Sequence, residues 1–394
     1  MTENYIRSAG DSAKICVVSS RHLSRQVYFC SIYEAEDILV DTGNVDLICP
    51  EPAVGYEWRS RWLSRLAYRD ISGKTALANP GVRSVRLDRD YELFVAVCET
   101  YEDLLHVNAV KGWKDRCKTS VCWLHEIWAN SLYKYRNWLE ALRKFDYVFV
   151  DLQGSVEPLS KALGRPCYWL PAAADLMRFG PQLKPISRVI DVMSVGRRQE
   201  GMHRALAGMA SRNELFYMFD TFAAANAKVY DYRAHRDHFA RLAKRSRYFI
   251  VAPAKMDATH ETGGQIEIGV RYYEGAAAGT VMLGQSPDTA HFRSLFGWQD
   301  SVIEVAPDGS DICDTIRNLD AEPERFREIS RRNTVESLLR HDWMHRWNDI
   351  FRIVGMKPYD NMVARTDYLK DLASVLVSRE GANRIEGRYT KEYA

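Results

Sequence analysis

GGQIEIGVRYYEGAAAGTVML, residues 263–283, decides how the rest of the chain is read. It predicts a glycine-rich loop, then a helix from about Gly269 to Ala278, then a strand over Thr280–Leu283. The start of such a helix carries unsatisfied N–H groups and a partial positive charge, which suits a phosphate. Gly275 and the alanines after Glu274 leave no bulk, so the helix can lie close to a neighbouring backbone or to a ligand. Arg271 and Glu274 are three residues apart and share a helix face. A carboxylate placed there can accept hydrogen bonds from a ribose, and Arg271 can grip phosphate oxygens with both arms of its fork. The same residues also read as a buried αβ unit whose Glu–Arg pair is an ordinary ion pair.

On either side of this stretch, short and continuously apolar runs alternate with helix-length segments. Before it come AKICVVSS (13–20), DLICP (46–50), YELFVAVCE (91–99), TSVCWLHE (119–126), YVFVD (147–151) and PCYWLP (166–171). A second series comprises VIDVMSVG (189–196), ELFYMF (214–219), RYFIVAP (247–253), TVMLG (280–284) and SVIEV (301–305). Continuous rather than alternating apolar runs imply parallel sheets covered on both faces, hence an α/β fold. PAAADLMRFGPQLKPISR (171–188) reads as the linker between the two series, with a hinge expected over Pro181–Pro185. The expectation is two doubly wound domains, residues 1–180 and 188–355, facing across a cleft that would hold a small ligand. Helices close the second domain, and 356–394 supplies one amphipathic helix and a polar end.

At 394 residues with 46% apolar side chains, the chain is long enough for two cores. Lys plus Arg (54) nearly balances Asp plus Glu (52), so no global field for a polyanion exists, although a local basic patch remains open. The eight cysteines are scattered without a CxxC pair, and Cys16, Cys49, Cys98 and Cys122 read as small strand hydrophobes. The amino-terminal segment has no apolar signal core and no stretch approaches a transmembrane span, so a cytoplasmic protein is expected.

Four stretches of the second half carry a resemblance. RYYEGAAAGTVMLG (271–284), DVMSVGRR (191–198), PAAADLMRF (171–179) and HDWMHRWNDIF (341–351) are similar to motifs of the GT-B nucleotide-sugar glycosyltransferases, most of all the CgeB-like (spore-maturation-type) group of the retaining family. The resemblance spans roughly residues 167–355. It implies a GT-B fold and transfer of a sugar from a nucleotide donor, UDP- or GDP-linked, with no other cofactor. By the same resemblance Glu274 would bind the donor ribose and Arg197 would steady the diphosphate. His125 would reach from the amino-terminal domain to the transferred sugar. Two features depart from the related pattern. Only six residues separate Glu267 from Glu274, so either a one-residue shift lets Glu267 serve at the sugar or that contact is missing. The lysine expected after Arg197 is absent, leaving Arg198, His203 or Arg204 in its place.

Sugar transfer passes through an oxocarbenium-like state while a nucleoside diphosphate leaves, so cations and helix-end amides must meet growing negative charge. Arg197, Arg198, Arg271 and the amides of Gly263 and Gly264 are the donor-binding candidates, and with arginines in that part no metal is required. On a retaining path, which the resemblance implies, the leaving phosphate accepts the acceptor's proton. On an inverting path His125 or Glu126 is the candidate base. His125 also reads as a satisfied structural histidine, and Glu126 as a helix-start acid. A catalytically inactive descendant binding a sugar nucleotide or a protein is the competing reading, and the acceptor is open among saccharide, protein, lipid, small molecule and nucleic acid.

Three other stretches stand out. His341 and His345 have the i, i+4 spacing used by zinc sites, but Trp343, Trp347 and Phe351 make a packing stripe, and a core helix is expected. HRDH (235–238) reads as surface. YEWRSRWLSRLAYR (56–69) interleaves Trp58, Trp62 and Tyr68 with Arg59, Arg61, Arg65 and Arg69. One reading packs the aromatics inward with the arginines solvated; the other makes a peripheral membrane contact or a site for a polyanionic acceptor.

Overall fold

The computed structural model describes residues 6–7, 13–70, 72–181, 186–221 and 227–378. In the amino-terminal lobe the strands are β1 (Ile6–Arg7), β2 (Ile15–Val18), β3 (Val45–Ile48), β4 (Val85–Arg86), β5 (Tyr91–Cys98), β6 (Val110–Lys111), β7 (Cys117–Leu124), β8 (Tyr147–Val150) and β9 (Tyr168–Trp169). The main sheet has the order β1-β3-β2-β5-β7-β8-β9; every pair is parallel except β1 against β3, and β4 pairs with β6 apart from it. The second lobe holds β10 (Ile190–Ser194), β11 (Tyr217–Phe219), β12 (Ser246–Val251), β13 (Val281–Gly284) and β14 (Ile303–Glu304), all parallel in the order β11-β10-β12-β13-β14.

The two lobes therefore repeat one winding. In each, the first long strand lies between the second and the third, which puts a topological switch between β2 and β5 and another between β10 and β12. Loops leaving the carboxyl ends of such strands diverge at the switch and open a crevice for a ligand. The apolar runs behave as expected: β2 is buried at all four positions, and β5 at all but Glu92.

The opening stretch folds as read, with the helix at Val270–Ala277 and the strand at Val281–Gly284. Gly275 lets this helix lie directly on the sheet: an added Cβ would stand 3.1 Å from both Met282 Sδ and Phe249 Cδ1. Most of the helix is consequently buried, including Glu274.

The helix Trp343–Val354, read with the second lobe, crosses back to the first. Asp342 caps its start by accepting from the Met344 amide. The Trp347 indole donates to Ala35 O at 2.8 Å, and the Arg346 guanidinium bonds the carbonyls of Pro171 and Ala172. Trp343 and Trp347 both meet Trp123 of β7 edge-on, at 5.8 and 5.6 Å between ring centroids. One apolar core thus runs from the first lobe through this helix into the second. The expected hinge over Pro181–Pro185 lies, after Pro181, outside the described residues, as does 379–394.

Candidate functional site

At the second lobe's switch, β10 runs out through Val195 into Gly196, Arg197 and Arg198. Gly196 turns in the left-handed region (φ +96°), where a side chain would be strained, and its amide donates to Asp220 Oδ2 at 2.8 Å. Arg197 is 42% exposed and pairs at 2.6 Å with Asp257, on the loop leaving β12, so the ion pair spans the switch. Arg271 reaches the same peptide from its helix: Nε donates to Val195 O at 3.2 Å, and the guanidinium lies over the Phe239 ring. Arg198 turns the other way, over Phe219, and bonds the Asp220 carbonyl. His203 is taken by the Tyr217 hydroxyl at 3.1 Å.

Glu274 is fully buried, and both its oxygens are engaged, one by Arg271 and the other by Arg236. Arg236, only 3% exposed, is the arginine of the HRDH stretch read as surface, and the structure corrects that reading. It caps a relay, because its remaining donors reach Glu34 of the first-lobe helix Phe29–Val40 at 3.1 and 2.9 Å. Arg178, the Trp343 indole and the Asp175 amide also converge on Glu34. Burial alone would raise this carboxyl, but Arg236, Arg178 and the indole outweigh it and hold it below its ordinary range. The Arg271–Glu274 pair expected from the sequence is therefore one end of an ion chain that ties the lobes together.

On the first lobe's side, His125 stands at the end of β7, 7% exposed, its ring stacked on Trp123 at 4.6 Å. Its Nδ1 is 3.5 Å from Asp151 Oδ2 at the end of β8, and Asp151 is itself fixed by accepting from the Ala172 amide at 2.6 Å. The other ring nitrogen, Nε2, is buried and has no hydrogen-bond partner among the described residues. A buried polar atom without a partner is rare in folded proteins, and here it belongs to a ring whose other nitrogen lies near a carboxylate. Nothing in the sequence singled out Asp151, because the pairing depends on β7 and β8 being neighbours.

Glu126 is ion-paired across the lobe boundary with Lys255, which also holds Glu261 at 2.6 Å. Burial would lower this lysine's pKa, yet the two glutamates carry it above its ordinary value. Lys255 has φ +51°, a left-handed conformation that costs an L-residue roughly 1–2 kcal/mol. Strained non-glycine residues of this kind concentrate at functional sites. Glu99, at the end of β5, is buried and its carboxyl is raised well above the ordinary range, by burial first and then by Glu126, Asp103 and Asp151. Sequence reading missed both Lys255 and Glu99.

Glu267, Gly263 and Gly264 lie elsewhere on the boundary. The Glu267 carboxylate accepts from the amides of Gln153 and Gly154 in the first lobe, at 3.0 and 2.7 Å. Its pKa is raised, chiefly by burial. The Gly263 amide bonds Thr259 O and the Gly264 amide bonds Thr262 Oγ1, within their own loop. Neither amide nor carboxylate is therefore free in the way the sequence suggested; the loop has instead docked on the neighbouring lobe. His341 and His345 each bond a backbone carbonyl, of Leu295 and Leu338, as core residues do.

Residues 194–352, under half of the chain, match a family model described as glycosyl transferase-like. No curated protein sequence matches. Among solved structures, an alpha-glucosyltransferase in complex with UDP and a 13-mer DNA containing an HMU base is similar at 11% identity and a TM-score of 0.51, over 87% of this chain and 100% of that one. An alpha,alpha-trehalose-phosphate synthase (UDP-forming) from Burkholderia xenovorans in complex with glucose-6-phosphate is similar at 14% identity and a TM-score of 0.54, over 87% and 100%. The corresponding enzyme of Burkholderia vietnamiensis gives 13% and 0.50, over 92% and 98%. At such identities the likeness establishes architecture: two doubly wound lobes in the GT-B arrangement.

Proposed function

We propose that this protein transfers a sugar from a nucleoside diphosphate donor to an acceptor. The observation that carries the reading is His125, whose Nε2 is buried and without a partner among the described residues and whose Nδ1 lies 3.5 Å from Asp151, at the lobe boundary where a donor sugar would lie. The glycosyl transferase-like match over 194–352 supports the donor half of the reading. The structural neighbours named with UDP favour a uridine nucleotide over GDP.

In this reading the diphosphate lies over the β10 loop, against Arg197 and Arg271, near the amino end of the helix Glu200–Ser211, which no side chain caps. Lys255 takes the part of the lysine missing after Arg197. Three cations at one crevice meet the charge on the leaving diphosphate, so transfer needs no metal and no cofactor beyond the nucleotide sugar. On the retaining path the bond from the anomeric carbon to the diphosphate breaks and the acceptor oxygen bonds to that carbon on the same face. The acceptor's proton passes to the departing phosphate oxygen. His125 Nε2 holds a sugar hydroxyl meanwhile. For Glu274 to grip the ribose, one oxygen must exchange Arg236 for a ribose hydroxyl.

A second reading rests on the engaged state of both acids. With Glu274 held by Arg236 and Arg271 and Glu267 by amides of the first lobe, the chain would be an inactive GT-B protein that binds a sugar nucleotide or a protein partner. Incubation with a panel of UDP- and GDP-sugars, followed by assay of released nucleotide, separates the two. Slow hydrolysis of a UDP-sugar, lost in His125→Ala, is expected. Absence of turnover together with no donor-induced rise in melting temperature would leave the inactive reading.

A further inference from the structure

The helix Tyr56–Arg69 is anchored on one side only. Ala67 is buried and Leu63 packs against the first lobe's core, while Trp58 and Trp62 are 64% and 52% exposed. The inward-packing reading is thereby corrected for the two tryptophans, while Tyr68 does turn inward, its ring 5.9 Å from that of Trp138. Trp58 and Trp62, at i and i+4, form an apolar strip on the helix, and Val54, 95% exposed, lies in the turn that precedes it. Arg61, Arg65 and Arg69 form a second strip beside it at the same spacing.

No ion pair forms at Arg59, Arg61, Arg65 or Arg69 among the described residues. Arg61 only donates to the Glu57 carbonyl. Asp70, the acid nearest in sequence to Arg69, is taken up by the amides and hydroxyls of Ser72 and Thr75. The helix Pro323–Arg340 shows the contrast: Arg325, Arg327, Arg331 and Arg340 are each paired with a glutamate three or four residues earlier. The amino end of the helix is tied to the loop that leaves β2. The Tyr56 hydroxyl is 2.7 Å from His106 Nε2, and His106 Nδ1 is 3.0 Å from Ser20 Oγ, just beyond β2.

We propose that this face docks the protein on an anionic lipid surface, with Val54, Trp58 and Trp62 among the headgroups and Arg61, Arg65 and Arg69 on lipid phosphates. Tryptophan beside arginine on one exposed helix face is the pattern of interfacial helices, which need both an apolar strip and electrostatic attraction. A single-stranded nucleic acid fits less well. The two indoles stack on each other, 6.2 Å apart and 12° from parallel, leaving no slot for a base, and Val54 has no π-face. Docking here does not depend on the proposed chemistry.

The test is co-sedimentation of the intact protein with vesicles at physiological ionic strength. Phosphatidylcholine alone is compared with phosphatidylcholine containing phosphatidylglycerol. The wild type should sediment with the anionic vesicles and not with the neutral ones. W58S/W62S should lose binding, and R61Q/R65Q/R69Q should lose about fivefold for each arginine removed. Both variants should keep the wild-type melting temperature, since the altered residues are exposed. The proposal is overturned if the wild type stays in solution, or if either variant sediments as the wild type does. It also falls if a single-stranded oligonucleotide binds through these same residues and displaces the vesicles, which would assign the face to nucleic acid.

Discussion

Arginine serves two opposite purposes in this protein. At the lobe junction Arg178 and Arg236 are surrounded by acceptors: Glu34, Glu274 and Asp237 take their donors, and Arg236 is sealed from water. On the helix Tyr56–Arg69 four exposed arginines form no ion pair among the described residues. A buried guanidinium must be paired or hydrogen-bonded, because the uncompensated charge would cost several kcal/mol. An exposed one is hydrated and needs no partner, so its being unpaired costs little and leaves it free for an external anion. The first set therefore reports on how the lobes are held, and the second on what the protein meets.

The largest effect is expected at Glu34. Glu34→Ala strands Arg236 and Arg178 in the junction and should destabilise the protein by about 3–5 kcal/mol in urea unfolding, with Glu34→Gln recovering part of the loss. A change within error would mean that the relay does not bind the lobes. The acid side of the stability curve is a second handle. Burial lowers the His106 pKa from 6.5 to about 4, so the folded protein holds a neutral ring. Its contribution is complete above pH 6.5 and is lost as pH falls from 6.5 towards 4. Glu34, also lowered, acts in the same direction at lower pH. His106→Gln should flatten the unfolding free energy between pH 6.5 and 4, by on the order of 1–3 kcal/mol; an unchanged slope would contradict the assignment.

Lys255 sharpens the contrast from inside the site. Lys255→Gly relieves a left-handed residue and should shift stability by only about 1 kcal/mol in either direction. Any donor turnover should nevertheless fall at least about tenfold, because a cation of the crevice is gone. The smallest effect belongs to the exposed helix, where Arg65→Gln should move stability by less than about 0.5 kcal/mol. A larger loss would show that this arginine holds the fold together after all.

The same contrast separates what could be read in the sequence from what could not. The strands were legible because parallel strands buried on both faces must be continuously apolar, and the helix at Val270–Ala277 because Gly275 and its alanines mark a close approach. His125 was legible as a strand-end histidine, but its nearness to Asp151 was not, since that depends on which strand lies alongside. Arg236 was misread as surface because its partner Glu34 is 202 residues away and its neighbours in HRDH are polar. The arginine–tryptophan helix has apolar residues on two faces, Leu63 with Ala67 and Trp58 with Trp62. Periodicity identifies both faces without saying which of them the core takes. Glu267 and the Gly263–Gly264 amides were assigned from a loop whose docking partner lies in the other lobe.

The account rests on a nucleoside diphosphate seated at the β10 loop, and calorimetric titration of UDP into the wild type and Arg197→Gln tests it most directly. Arg197 is exposed and, among the described residues, pairs with Asp257 alone, so its loss should leave the fold intact. The wild type should bind UDP more tightly than GDP, and Arg197→Gln should weaken UDP by about tenfold, the worth of one charge-assisted phosphate contact. UDP bound equally well by both proteins, or by neither, would contradict the donor site proposed for this lobe.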